Sequence, residues 1–351
     1  MLAAQQLLET GRPVIEKGEY WRVIHHTWLV AISYEIFGEG LASARIPSVL
    51  FIALIAPVLF LWVHREAGSL AAWITALLFI SSPFTVEIAQ FCRFYALQVL
   101  SFVLGNLCWY YALVAAVSLP RRVMLGATAI GLFALAVSAQ VTTFIGLVGV
   151  VAWTFGIVLH RVYFDPAAAP AVKRAMTAGL VVSGILVILA MFLTDVLQWA
   201  WNRHQSTQLF NVERQHEFWF YYLRFFVLYP TLWTLIGFLA VLAVVRSQRI
   251  EWLAICVLIY IFLLMSFAGS KATRYLSYAP PFLAVIWGIG LAGVFTLVSP
   301  YARKTYTRLV ETLALPPRLG PAVGKAVITL AMFIVVLSNP FWLRTASMIG
   351  D

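Results

Sequence analysis

Residues 41–63, LASARIPSVLFIALIAPVLFLWV, hold Arg45 as their lone charge and then meet His64, Arg65 and Glu66. A helix needs roughly 20 apolar residues to cross about 30 Å of hydrocarbon, so this run reads as a transmembrane span. Runs of the same character recur near 69–84, 96–117, 122–138, 141–159, 176–196, 226–245, 251–268, 277–298 and 325–341. Ten spans would use on the order of 200 residues, leaving the rest of the chain for loops. Composition agrees: 62% of the 351 residues are apolar and 11% charged, with a mean hydropathy of +0.91. A soluble domain averages roughly 45–50% apolar and about 25% charged, and this chain could not hide its apolar surface in such a core. The expected fold is an all-α, polytopic transmembrane bundle of about ten spans, with interfacial helices in its outer loops. Residues 41–345 form the bundle, 1–40 a first extracytoplasmic loop, and 346–351 the start of a further extracytoplasmic segment. The net charge of +10 is then a matter of topology, which excludes a nucleic-acid partner or a cytosolic enzyme.

Alternate loops sort the charges. One side takes thirteen of the 24 Lys and Arg but four of the 14 Asp and Glu, and the bases crowd short links such as SLPRR and RSQRIE. By the positive-inside rule that side is cytoplasmic. The chain is therefore expected in a bacterial inner (plasma) membrane, with a mixed-charge surface outside. Both termini then face outward. The first forty residues carry charges without a basic-then-apolar leader, so an upstream signal-anchor helix is expected beyond this chain. Cys92, Cys108 and Cys256 are widely spaced and give no disulfide framework or zinc pattern.

Four stretches on the outer side carry the chemistry. In GEYWRVIHHTWLVAISYEIFGEGLASARIPS, Trp21, Trp28, Tyr34 and Phe37 alternate with charges, which suits a short helix in the membrane interface. His25 and His26 stand about 100° apart on a helix, a poor chelating pair beside an i, i+4 spacing, so no metal site is read. In SSPFTVEIAQFCRFYALQVL, Pro83 ends one helix and Glu87, Gln90 and Arg93 recur along one polar face, either as an interfacial ion pair or as a cavity lining. In FAGSKATRYLSYAPPF, Lys271 and Arg274 stand one helical turn apart, followed by Tyr275 and Tyr278. Two such cations hold a phosphate or snorkel to headgroups. In LQWAWNRHQSTQLFNVERQHEFWFYYLRFF, a long loop of mixed charge and aromatic residues reads as a binding element or an interface anchor.

Together these features resemble the GT-C superfamily of integral-membrane glycosyltransferases, in particular the branch of dolichyl-phosphate-mannose protein mannosyltransferases and the bacterial lipid A aminoarabinose transferase. The resemblance rests on Arg22 through Ser48, with Phe37-Gly38 and Ala44-Arg45-Ile46-Pro47-Ser48. It continues in Ser82-Pro83 with Arg93-Phe94-Tyr95, and in Lys271 to Pro281 with Arg274-Tyr275 and Pro280-Pro281. It implies an inverting enzyme that passes a sugar from a polyprenyl-phosphate donor to a lipid, glycan or protein hydroxyl on the extracytoplasmic face. Membrane lipids are the remaining partner.

A departing phosphate gains negative charge, and cations placed for it lower the barrier. Arg22, Lys271 and Arg274 are the candidates for that role, with His25, His26, Arg93, Tyr95, Tyr275 and Tyr278 lining the cavity. The acceptor hydroxyl needs a carboxylate to take its proton. In the family that base is an Asp at the outer end of the first transmembrane helix, whereas here no Asp precedes Asp165. The usual catalytic group is expected to be missing from this chain, leaving Glu16, Glu19 and Glu87 as weak substitutes. No cofactor is implied, and a divalent metal is compatible with the chemistry but unsupported. The rival readings are a polytopic transporter or lipid flippase, and a structural subunit that has lost catalysis. Transporters commonly show paired halves with broken helices near the midplane, and no such repeat is visible.

Overall fold

The computed structural model describes residues 2–16, 18–21, 23–115, 117–164, 170–171, 173–174, 177–178, 219, 249–266 and 273–312. Residues 1–40, expected as a loop with one interfacial helix, hold more structure than that. They contain helix α1 (Leu2–Thr10), a two-stranded antiparallel hairpin of β1 (Val14–Ile15) and β2 (Gly18–Glu19), and helix α2 (Ile24–Phe37). The bundle follows as α3 (Leu41–Ala67), α4 (Ser69–Ile80), α5 (Pro83–Gln90), α6 (Tyr95–Val114), α7 (Leu119–Ala139) and α8 (Thr143–Phe164). The apolar helix Arg249–Ser266 is α9; a 3₁₀ turn at Thr273–Leu276 leads into α10 (Pro280–Thr312).

Among the described residues five helices are long and apolar enough to cross a membrane, and six if α4 and α5 count as one bent span. The protein is an all-α, polytopic integral membrane protein. Spans expected at 176–196, 226–245 and 325–341 lie outside the described residues, as does the segment 346–351. The expected span 69–84 is broken: α4 stops at Ile80 and α5 restarts at Pro83, bent by 53°. The cause is local. Pro83 has no N–H to continue the ladder, and the Ser82 hydroxyl accepts from the Thr85 N–H to start a new helix. The expected span 277–298 likewise begins later, at Pro280, and its helix runs on to Thr312. Between α3 and α4 a single residue turns the chain. Gly68, at φ +88°, adopts a conformation that a side chain would resist.

Lipid tails are as apolar as leucine, so the helices gain by close van der Waals fit rather than by escape from water. Glycines supply the fit. Gly288 of α10 lies against Thr75 of α4, with the Thr75 Cα 2.9 Å from where a Cβ would stand. Gly149 of α8 meets the backbone of α9 at Val257, and Gly105 of α6 meets the ring of Phe133 on α7. Helices α6 and α10 are mostly buried and α7 mostly exposed, which makes the former two the centre of the bundle. Ile55, Leu59, Ile74, Phe79, Phe102, Tyr110 and Tyr278 are among the buried residues of that core.

Candidate functional site

At one end of the bundle α1, α2 and the start of α3 build a satellite core. Ala4, Leu7, Val30, Ala31, Tyr34 and Ala44 pack together, with Cys92 from the α5–α6 link against them. This core fixes α2 so that His26 is buried at 5% exposure. Its Nε2 lies 3.4 Å from the Ser48 hydroxyl of α3. Ser48 commits its own hydrogen to the Phe91 carbonyl at 2.7 Å and leans toward that of Arg93 at 3.4 Å. The imidazole must therefore be the donor, which assigns the Nε2–H tautomer. Burial pushes the His26 pKa down to about 4, so the ring is neutral at pH 7. One hydroxyl thus ties α2, α3 and the α5–α6 link into a unit. Val23, just ahead of α2, is held at φ +49°, a left-handed conformation that a β-branched residue resists.

A second unit joins the start of α6 to the 3₁₀ turn. Gln98, fully buried, donates from Nε2 to the Thr143 hydroxyl at 2.9 Å and accepts from the Ser277 hydroxyl at 3.1 Å. Beside it the Tyr278 hydroxyl donates to the Thr142 carbonyl at 2.7 Å, and the Tyr278 ring meets Phe102 edge-on at 5.2 Å. Arg274, exposed, stacks its guanidinium over the Tyr275 ring at 5.5 Å. Because Arg93 stands two residues ahead of α6 and the first turn of α6 bonds Ser277 through Gln98, the turns carrying Arg93 and Arg274 stand at the same end of the bundle.

Of the candidate cations, Arg22 and Lys271 lie outside the described residues; Arg274 is exposed on its 3₁₀ turn and Arg93 is exposed in the α5–α6 link. His25 is exposed where His26 is buried. Tyr95 and Tyr278 are buried, Tyr278 completely, and Tyr275 is half-buried. Glu16 and Glu19 sit exposed on the hairpin. Glu19 accepts from the Trp21 indole at 2.7 Å and lies 3.6 Å from Arg12. Glu87 is half-buried on α5. Among the described residues no group of three His, Cys, Asp or Glu side chains converges. Sequence reasoning quoted Ser48 within a motif but gave neither it nor Gln98 a role, because a single polar residue in an apolar run does not announce its partner. It passed over Arg45 as a ligand too. Arg45 is half-buried on α3, and its Nε, shielded from solvent, has no acceptor.

No family model and no curated protein matches the sequence. Crystal structures of ArnT from Cupriavidus metallidurans superpose on the chain, in the apo state with a TM-score of 0.58 and bound to undecaprenyl phosphate with 0.57. In each, 17% of residues are identical, and the match covers 98% of this chain and 68% of that chain. The chain shares the fold of these ArnT structures. At that identity the likeness is one of architecture, and it agrees with the GT-C-like bundle expected from the residues between Arg22 and Pro281. Helices α1 and α2, which lie beside the candidate spans, are pinned to the bundle through His26 and Ser48.

Proposed function

We propose that this protein is a polyprenyl-phosphate-sugar glycosyltransferase working on the extracytoplasmic face of a bacterial inner membrane. The observation that carries the reading is the fold likeness over nearly the whole chain to ArnT, one structure of which holds undecaprenyl phosphate. The donor is a sugar linked to a polyprenyl phosphate, and the acceptor a hydroxyl of a lipid, glycan or protein. Arg274, with Arg22 and Lys271, takes the phosphate; Arg93 and Tyr275 flank it, and His25, His26, Tyr95 and Tyr278 build the walls behind.

The chemistry follows from charge. When the bond between anomeric carbon and phosphate breaks, the electron pair stays on the phosphate oxygen, and a guanidinium held there stabilises the growing charge. Arginine offers a planar fork and lysine a point charge, so the two are complementary rather than redundant. The acceptor's proton goes to a carboxylate, and of the three in reach of this reading Glu87 is the one built into a helix rather than exposed on a hairpin.

The test is binding of undecaprenyl phosphate to the purified chain in detergent or nanodiscs, followed by transfer from a panel of lipid-linked sugars. Arg274→Ala is expected to weaken binding far more than Arg303→Ala, whose position is near the other end of α10. Equal effects would remove the donor-site assignment. Transport of the lipid across a vesicle membrane without sugar transfer would favour the flippase reading instead.

A further inference from the structure

Gln98 stands one turn into α6 and spends its amide on two other parts of the chain. Its Nε2 reaches Thr143 at the start of α8, and its Oε1 receives the Ser277 hydroxyl. Thr143 passes its own hydrogen to the Gln140 carbonyl at 2.6 Å, which closes the α7–α8 corner. Ser277 follows Arg274 by three residues, and its backbone N–H donates to the Arg274 carbonyl at 3.2 Å. Gln98, Thr143 and Ser277 are all fully buried.

Placing an amide and two hydroxyls in an apolar interior costs free energy unless each is paired. Here the pairing is also directional. An amide has a donor end and an acceptor end, so Gln98 accepts one arrangement of α8 and the 3₁₀ turn and rejects a slipped one. Asn106, two turns further along α6 and equally buried, offers the contrast. Its Nδ2 donates to the Phe102 carbonyl of its own helix at 2.8 Å and its Oδ1 has no partner. A buried amide on α6 is therefore not in itself a link between elements; Gln98 is.

We propose that Gln98 is a positioning residue for the lipid-phosphate site, which holds the Arg274 turn in its binding geometry before the lipid arrives. This rests on the reading of Arg274 as a phosphate ligand. A turn fastened beforehand need not be ordered at each binding event, and that saving appears directly as affinity. Loss of the tether is expected to weaken lipid-phosphate binding roughly tenfold, the scale of leaving one flexible segment to be ordered by the ligand.

The experiment titrates undecaprenyl phosphate into the purified full chain and reads both Kd and the number of sites. Gln98→Leu keeps a comparable side-chain size and is expected to raise Kd about tenfold with the site number unchanged. Asn106→Ala is expected to leave Kd as it is. Ser277→Ala deletes one hydroxyl and is expected to raise Kd as well, so a poorly folded Gln98→Leu does not end the test. A merely structural role for Gln98 lowers the number of sites and leaves Kd alone, and that result overturns the inference. So does an equal rise in Kd for Asn106→Ala. If Arg274→Ala itself leaves Kd unchanged, the phosphate reading fails and the positioning role falls with it. If Arg274→Ala weakens binding while Gln98→Leu and Ser277→Ala do not, the positioning role alone is lost.

Discussion

Tyr110 and Glu66, 44 residues apart, meet through a hydrogen bond in which the phenol donates to the carboxylate at 2.7 Å. The tyrosine is fully buried, with Trp62 edge-on at 5.6 Å and Trp153 stacked at 5.8 Å. Rings from α3 and α8 and a carboxylate at the C-terminal end of α3 thus converge on one α6 side chain, far along the bundle from Arg274. A hydrogen bond to a charged acceptor contributes about 1.5–3 kcal/mol, and Glu66 is half-buried, so water recovers part of any loss. Tyr110→Phe is expected to lower stability by about 1.5 kcal/mol, read as a drop in thermal unfolding temperature in detergent. Binding of undecaprenyl phosphate should be untouched.

The helix interfaces make a graded prediction. A Cβ at Gly288 would stand on Thr75, and one at Gly149 would come within 2.6 Å of the Val257 Cα. Gly149 faces backbone alone, and Gly288 faces the Thr75 backbone as well as its hydroxyl, so neither clash is relieved by swinging one side chain away. Gly288→Ala and Gly149→Ala are expected to destabilise by about 1–3 kcal/mol each, as overpacking does. Gly131 has open space around its missing Cβ, so Gly131→Ala should be neutral or slightly stabilising through helix propensity. Thermal unfolding of the three variants side by side checks the order.

Much of this bundle was legible in the apolar runs. The span expected from residue 41 begins at Leu41, and that expected at 122–138 is α7, Leu119–Ala139. Hydropathy works here because a membrane admits only helices or closed barrels, so a long apolar run has few alternatives. What it misses is whatever depends on a partner distant in sequence. The Gln98 to Ser277 bond joins residues 179 apart, and neither side chain looks unusual in its own segment. The hairpin and second helix within residues 1–40 were missed for a related reason. The core under α1 takes Ala44 and Cys92 from later in the chain, and the hairpin has only two residues per strand, so no local periodicity reports either. The candidate site residues, lining included, were legible as residue types near the outer ends of the spans, whereas the hydrogen bonds that join their elements, through Ser48 and Gln98, depend on partners distant in sequence.

If the proposed transferase uses a carboxylate of this chain as its base, three variants differ in activity. Glu16 and Glu19 are both exposed on the hairpin. Glu87 is half-buried on α5, one element before Arg93. A positioned general base contributes at least about 10²-fold, so Glu87→Gln is expected to cut sugar transfer by about that factor. Glu16→Gln and Glu19→Gln should leave it within about twofold, because solvated carboxylates add little to a barrier. Transfer from a radiolabelled polyprenyl-phosphate sugar measures all three.

His26 gives the protein a pH dependence whose sign is fixed. Its pKa in the folded chain is about 4, against an ordinary 6.5 once unfolded. Between those values the unfolded chain holds a proton that the folded chain does not, so acid favours unfolding. The stability is fully present above pH 6.5, falls as pH drops toward 4, and is flat below. Each pH unit across that window is worth about 1.4 kcal/mol, for roughly 3 kcal/mol in all. Replacing the ring with a neutral donor, His26→Gln, should remove this slope while keeping a donor for Ser48. The measurement is the unfolding free energy of both proteins in detergent from pH 7 to pH 4, taken as a difference so that the carboxylates common to both cancel. Parallel curves would mean that the imidazole reaches solvent and that Ser48 does not shelter it.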